Sequence, residues 1–260
     1  KVFGAEPSFT VVLLEPNIDL ANGAATGVPR PTIFVHLQPP TALSSVNYFS
    51  DWPQDVFLHE YAHILNMEPA NGVFAPLRWI FGSFVRPNMY LPRWYLEGLA
   101  VEMESRFNET GRLKSEDYDA LIRALLLDGQ WGTESLSQIN ETTTPTWPQG
   151  QRPYFYGALI WHEIYQQKGP AVVKRLNERY GGRFPYFISA PIEDEMGKDY
   201  SGILQDIYSK YRNLALVQIE ALKKEKLTNG KKIVIQDAIF QHSPVVSPNG
   251  DLLTFVSADN

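Results

Sequence analysis

Cysteine is absent from all 260 residues, so disulfides and thiolate metal sites are both excluded, and any metal must be held by nitrogen and oxygen. No apolar run approaches the roughly 18 residues of a membrane span, and Lys1 to Thr10 lacks the pattern of a signal peptide. A surplus of positive charge is missing too. The net charge of -6 and pI near 5.4 lack the broad electrostatic footprint of phosphate-binding surfaces, which makes nucleic acid a poor partner. The one basic cluster (Lys223, Lys224, Lys226, Lys231, Lys232) begins where a helix is expected to end, and charges there complement the helix dipole. There is no internal repeat and no low-complexity stretch. What remains is a composition with 44% hydrophobic and 20% charged residues, that of a globular protein large enough to bury a core. The chain starts without Met and stops within a strand-like pattern, so it is expected to be a piece of a longer protein.

Along the chain the hydrophobic period changes twice. Phe9 to Leu14 and Thr32 to Leu37 are rich in β-branched and aromatic residues and predict strands. Asn22, Gly23, Gly27 and Pro29 between them carry turn or bulge chemistry. Asp51 is placed to cap a helix with Pro53 in its first turn, running to about Asn66. An aromatic-rich, loop-like insert from Glu68 to Leu91 is expected to pack down onto the body. Helices are predicted from Pro92 to Phe107, Ser115 to Leu127, Tyr156 to Gln167 and Pro170 to Tyr180. A long one follows from a Ser201 cap to Lys226, with Ile203, Ile207, Tyr211, Leu214 and Leu222 on one face. Ile233 to Phe240 and Leu252 to Val256 then predict strands joined by a turn at Ser247 to Gly250.

His59, Glu60 and His63 form H-E-x-x-H within the first helix. At about 100° per residue the two histidines lie one turn apart on one face, where both imidazoles can reach a single ion at about 2.0 to 2.1 Å. Glu60 is set further round, free to act as general base on a metal-bound water, whose pKa zinc lowers to about 7. Val56, Phe57, Leu58, Ala62, Ile64 and Leu65 make this helix apolar nearly all round. It is therefore expected to be buried, and burying two histidines and a glutamate costs several kcal/mol unless a cation pairs them.

A catalytic zinc takes three protein ligands and keeps an open position. Without cysteine the third must be His, Asp or Glu. His36, His162 and His242 sit in a strand, a helix beside Glu163 and the terminal strand region, and each is assigned a structural role. The helix Trp94-Tyr95-Leu96-Glu97-Gly98-Leu99-Ala100 offers Glu97 as ligand. Glu104, seven residues on and within about 20° of the same face, is the candidate acceptor for a histidine ring N–H. Glu102 points elsewhere and is expected to be a solvated charge. Gly98 and Ala100 are small enough to let another helix approach closely.

The run from His59 to His63, followed by Trp94 to Ala100 and on to Glu104, resembles the gluzincin metallopeptidases. The likeness is to the aminopeptidase and leukotriene hydrolase branch and to bacterial peptidase MA-like domains, over about residues 8 to 225. It implies an α+β, thermolysin-like catalytic domain, with a small N-terminal mixed sheet and a mainly helical C-terminal part. It also implies one zinc ion on His59, His63 and Glu97, with Glu60 as base and proton shuttle. The family places an oxyanion-stabilising tyrosine before a helix in a Y-x-x-G pattern, which Tyr154 matches; Tyr156 and a purely structural tyrosine remain alternatives. The strand Thr32, Ile33, Phe34, Val35 holds the position of the edge strand that receives a peptide substrate in such enzymes, or it is an internal strand. Two departures stand out. The His63 to Glu97 connector is longer than in the aminopeptidase branch. Asn22-Gly23-Ala24-Ala25 stands in place of the glycine-rich exopeptidase motif, which makes strict aminopeptidase action doubtful.

The tail from Lys231, with Ser-Pro-Asn-Gly-Asp at Ser247 to Asp251, resembles the start of a TolB-like β-propeller and implies an exported bacterial parent, periplasmic or secreted. The expected division is a peptidase domain over 1–228 (sheet and active-site helix 1–67, insertion 68–91, helical part 92–228) and a propeller beginning at 229–260. Hydrolysis of peptide bonds in a peptide or protein substrate is the leading reading. A silent binding module and a zinc hydrolase acting on a non-peptide bond are the competing ones.

Overall fold

The computed structural model describes residues 2–4, 6–15, 22–40, 51–143, 147–226, 230 and 238–259. The fold is α+β. Strands β1 (Thr10–Leu14), β2 (Gly23–Thr26) and β3 (Thr32–His36) form one sheet in the order β1-β3-β2. β1 runs parallel to β3, with Val11 opposite Ile33, and β2 runs antiparallel, with Ala24 opposite Phe34. Two expectations change here. Gly23 and its neighbours form a strand where turn chemistry was expected. Thr32, Ile33, Phe34 and Val35 belong to the middle strand, with ladder bonds on both sides, so β3 is the internal alternative and offers no edge to a peptide.

Helix α1 (Trp52–Met67) starts where its cap predicts, with the Asp51 side chain accepting from the Gln54 N–H at 3.3 Å. On one side it closes a small core with the sheet, in which Ile33 and Val35 meet Trp52, Val56, Ile64 and Met67. On the other, Ala62 and Leu65 join the main core. An apolar helix is buried because it has two cores to fill.

The next segment is α2 (Phe74–Phe81), followed by 3-10 turns at Gly82–Phe84 and Pro87–Tyr90. It is more regular than the expected loop, and four of its five aromatics do not pack down: Trp79, Phe81, Phe84 and Tyr90 are exposed, while half-buried Phe74 meets Phe184. Buried Arg86 ties it to the body, donating from Nε to the Gly27 carbonyl (2.8 Å) and from Nη1 to Glu68 (2.9 Å).

The helical part comprises α3 (Arg93–Phe107), α4 (Glu116–Leu127), the single turn α5 (Leu136–Ile139), α6 (Arg152–Lys168), α7 (Ala171–Tyr180), α8 (Ser189–Met196) and α9 (Tyr200–Leu222). α6 begins one turn before the predicted start, with Pro153 in its first turn. α9 is capped by Asp199, whose side chain accepts from the Gly202 N–H at 2.8 Å, instead of by Ser201. Its inward face includes Ala215 and Ile219, while Leu214 and Leu222 turn out to solvent. α3 and α6 cross at Gly98 and Gly157. A Cβ on Gly98 would lie 2.1 Å from the Gly157 carbonyl carbon, and one on Gly157 2.0 Å from the Trp94 oxygen, so the close approach expected of Gly98 is made by α6.

β4 (Ala238–Val246) and β5 (Leu253–Asp259) pair antiparallel around a turn at Ser247–Gly250. Residues 233–237 of the first predicted strand, and Lys231 and Lys232, lie outside the described residues. No helix among the described residues is long and apolar enough to cross a membrane.

Candidate metal centre

α1 carries His59 and His63 one turn apart, and their rings meet edge to face with centroids 4.9 Å apart. α3 brings Glu97 to the same point. His59 Nε2 is 3.3 Å from Glu97 Oε2, His63 Nε2 is 3.2 Å from that oxygen, and the two Nε2 atoms are 3.3 Å apart. Donors bound at 2.0 to 2.1 Å on tetrahedral corners are separated by about 3.3 to 3.4 Å. The triangle therefore has the size of one face of a four-coordinate site, and these three residues could hold a metal ion.

The protons around His59 explain the arrangement. Its Nδ1 lies 2.8 Å from Glu104 Oε2. Arg112 Nη2 is also near, at 2.9 Å from Nδ1, but Arg112 directs Nε and Nη2 to the two Glu104 oxygens at 2.7 Å each. The proton on Nδ1 thus belongs to the bond with Glu104. A neutral His59 then turns its Nε2 lone pair toward the Glu97 carboxylate, which only a positive charge between them relieves, a proton or a metal ion. The proton version is visible in the acidities. Burial pushes His59 down, yet the bonds to Glu104 and Glu97 outweigh it and hold the imidazole up at about 9. Burial pushes Glu97 up, and the charges of His63 and His59 overcome it to hold the carboxyl well below its ordinary range. Burial acts likewise on Glu104, but the Arg112 guanidinium beside it brings the carboxyl down to about 2. Glu104 lies against the His59 ring, and Arg112, from a 3-10 turn at Arg112–Lys114 after α3, completes the chain of charges.

Glu60 is buried on α1 beside His59. Its side chain lies against β2: a Cβ on Gly23 would be 2.9 Å from Glu60 Cγ and 3.1 Å from Oε1. Tyr154 occupies the first turn of α6, and its ring stacks on the His59 ring at 6.1 Å between centroids and 23° between planes. The Arg112 guanidinium lies 5.1 Å from the centre of the Tyr154 ring. Burial and the Glu97 charge push the Tyr154 hydroxyl up to about 12, against Arg112 and a hydrogen bond from Arg93. Half-exposed Arg93, one turn before Glu97 on α3, also lies 3.6 Å from Glu97 Oε1. Tyr156 packs in the core against Trp131 and Tyr208.

The remaining histidines stand elsewhere. His162 Nδ1 is 3.1 Å from Glu102. Glu102 is buried and also bound by Arg106, a correction to the solvated charge expected there. His36 lies in β3, where its carbonyl accepts from the Trp52 ring N–H at 3.4 Å. His242 lies in β4. Sequence reasoning missed Arg93, Arg112 and the contact of Gly23 with Glu60. Arg112 sits behind Gly111, whose φ of +137° marks a sharp turn but carries no chemical signature. No family model, curated protein or solved structure matches the chain.

Proposed function

We propose that the chain is a zinc-dependent peptidase on a thermolysin-like, gluzincin-type scaffold. The observation that carries the reading is the equilateral triangle of His59 Nε2, His63 Nε2 and Glu97 Oε2 at 3.2 to 3.3 Å. Two imidazoles and one carboxylate, with no thiolate in the chain, are the donor chemistry of a catalytic zinc with a free position. Zinc bound there would supply Lewis acidity and lower the pKa of a water to about 7.

The chain's own groups do the rest. Glu60 takes a proton from the attacking water and delivers it to the leaving amine nitrogen. Tyr154 donates its hydroxyl hydrogen to the carbonyl oxygen as that oxygen gains charge. Glu104 and Arg112 keep the His59 ring in the tautomer that offers Nε2. A base has no use at a purely structural metal site, and the presence of Glu60 beside the donors favours an enzyme over a silent binding module. The β4–β5 hairpin, with its Ser-Pro-Asn-Gly-Asp turn, supports reading the tail as the first strands of a TolB-like propeller in an exported bacterial protein.

The test is metal analysis followed by digestion of a fluorogenic peptide library by the native chain and by Glu60→Gln. Both forms are expected to hold one zinc, and the native chain alone to cleave. Stoichiometric zinc with no cleavage by either would favour the binding module.

A further inference from the structure

The segment between Glu68 and Leu91 is folded, yet it leaves most of its large apolar side chains exposed. α2 reads Phe-Ala-Pro-Leu-Arg-Trp-Ile-Phe, and not one of its residues is buried. Trp79 is 87% exposed and Phe84 68%. The loop after α7 extends the same face. Asn71 donates its backbone N–H to the Gly181 carbonyl at 2.8 Å, and the Phe184 ring meets Phe74 at 5.4 Å. Beyond that contact Tyr186 and Phe187 stand 87% and 70% exposed.

The charge of this face is one-sided. Residues 69–96 and 179–192 contain no aspartate or glutamate, in a chain with 29 acidic residues and a net charge of -6. Arg183 is exposed within the second stretch. Exposed Arg30 follows Pro29, whose carbonyl accepts a hydrogen bond from Ser83.

An exposed apolar patch built from two segments marks an interaction surface. Charge decides its occupant. A second copy of the chain, docked face to face about a two-fold axis, would gather the arginines of both copies into one interface with no carboxylate in either stretch to receive them. Anionic phosphate headgroups receive arginine, and the headgroup boundary is where tryptophan and tyrosine rings settle. We propose that this face docks on an anionic lipid surface, with Trp79, Phe81, Phe84 and Tyr186 as anchors and Arg30 and Arg183 as headgroup contacts. The proposal is independent of the peptidase reading.

The test is flotation of the full chain with vesicles of phosphatidylcholine alone and of phosphatidylcholine mixed equally with phosphatidylglycerol. The native chain is expected to float with the mixed vesicles and to be released by salt. Trp79→Ser combined with Phe84→Ser should lower partitioning about tenfold or more, and Arg183→Glu should lower it about tenfold on the mixed vesicles alone. Val217→Ser, at an exposed position of α9, should bind as the native chain does. Thermal melts confirm that each variant is folded. Failure of the native chain to bind mixed vesicles would overturn the proposal, as would undiminished binding by the double variant. A concentration-dependent dimer abolished by the double variant, with no vesicle binding, would instead assign the face to a second copy.

Discussion

His59 Nδ1 and Glu104 Oε2 lie 2.8 Å apart between two buried side chains, and this bond determines which nitrogen of His59 faces Glu97. Remove the acceptor and the ring is free to rotate or to change tautomer, so the donor triangle loses a corner for part of the time. Glu104→Ala is expected to weaken zinc affinity about 10- to 100-fold, read by competition with a chromogenic chelator. Affinity unchanged would mean that packing alone orients the ring.

The same carboxylate makes stability depend on acidity. Glu104 is held down at about 2 against an ordinary value of 4.5. A carboxyl whose folded value is depressed binds fewer protons folded than unfolded, so its stabilisation is complete above about 4.5 and is lost as the pH falls toward about 2. The difference in unfolding free energy between the native chain and Glu104→Gln should therefore shrink as urea titrations move from neutral to acid pH. A constant difference would show that the Arg112 contact does not act through charge.

Gly98 and Gly157 hold α3 against α6, and through α3 they set the position of Glu97. Alanine in a helix interior is favoured over glycine by about 1 kcal/mol. Here the added methyl of Gly157→Ala would sit 2.0 Å from a backbone oxygen, and overpacking against backbone costs about 1 to 3 kcal/mol or more. The clash wins. Gly157→Ala is expected to lower the melting temperature and to weaken zinc binding at a position that touches no ligand. A variant with native affinity would uncouple the crossing from the centre.

How much of this could be read from residues alone follows from which forces are local. The His59–His63 spacing, the Asp51 cap and the ends of α3 and α4 depend on neighbours within a turn, and all stand as expected. The close approach at Gly98 was legible because a missing side chain has one geometric consequence. Its partner Gly157 was not, since a helix crossing is decided by residues 59 positions apart. The same holds for Glu102, which is buried with a partner, His162, on another helix. β2 hid behind turn-forming residues because its strand is stabilised by pairing with β3, not by propensity. The insert departs from expectation because aromatic residues imply burial only when they have enough to pack on, and no residue of α2 is buried, even Phe74 with Phe184 against it.

Tyr154 offers a cleaner division between binding and chemistry. Its hydroxyl, pushed up to about 12, stays protonated at any working pH and remains a donor. Tyr154→Phe keeps the ring that stacks on His59 and removes the donor alone. A loss of about 100- to 1000-fold in kcat is expected, with KM and zinc content nearly unchanged. A rise in KM with kcat preserved would make Tyr154 a substrate contact and not an oxyanion donor.

β2 leans on Glu60, the proposed base. Gly23 adopts ordinary strand backbone in β2, so alanine is tolerated there locally. Its Cβ would nonetheless stand 2.5 Å from Val56 Cγ2 and 2.9 Å from Glu60 Cγ. Val56 is stiff at χ1 and locked in the small core, so β2 must draw back from it, and the Glu60 side chain, which rests on Gly23 and has rotamers to move into, shifts as well. Gly23→Ala is then expected to retain zinc and fold while losing at least about tenfold in kcat, because a base displaced by an ångström loses the proton it must reach. If Gly23→Ala cleaves as the native chain does while Glu60→Gln is inert, β2 plays no part in aiming the base.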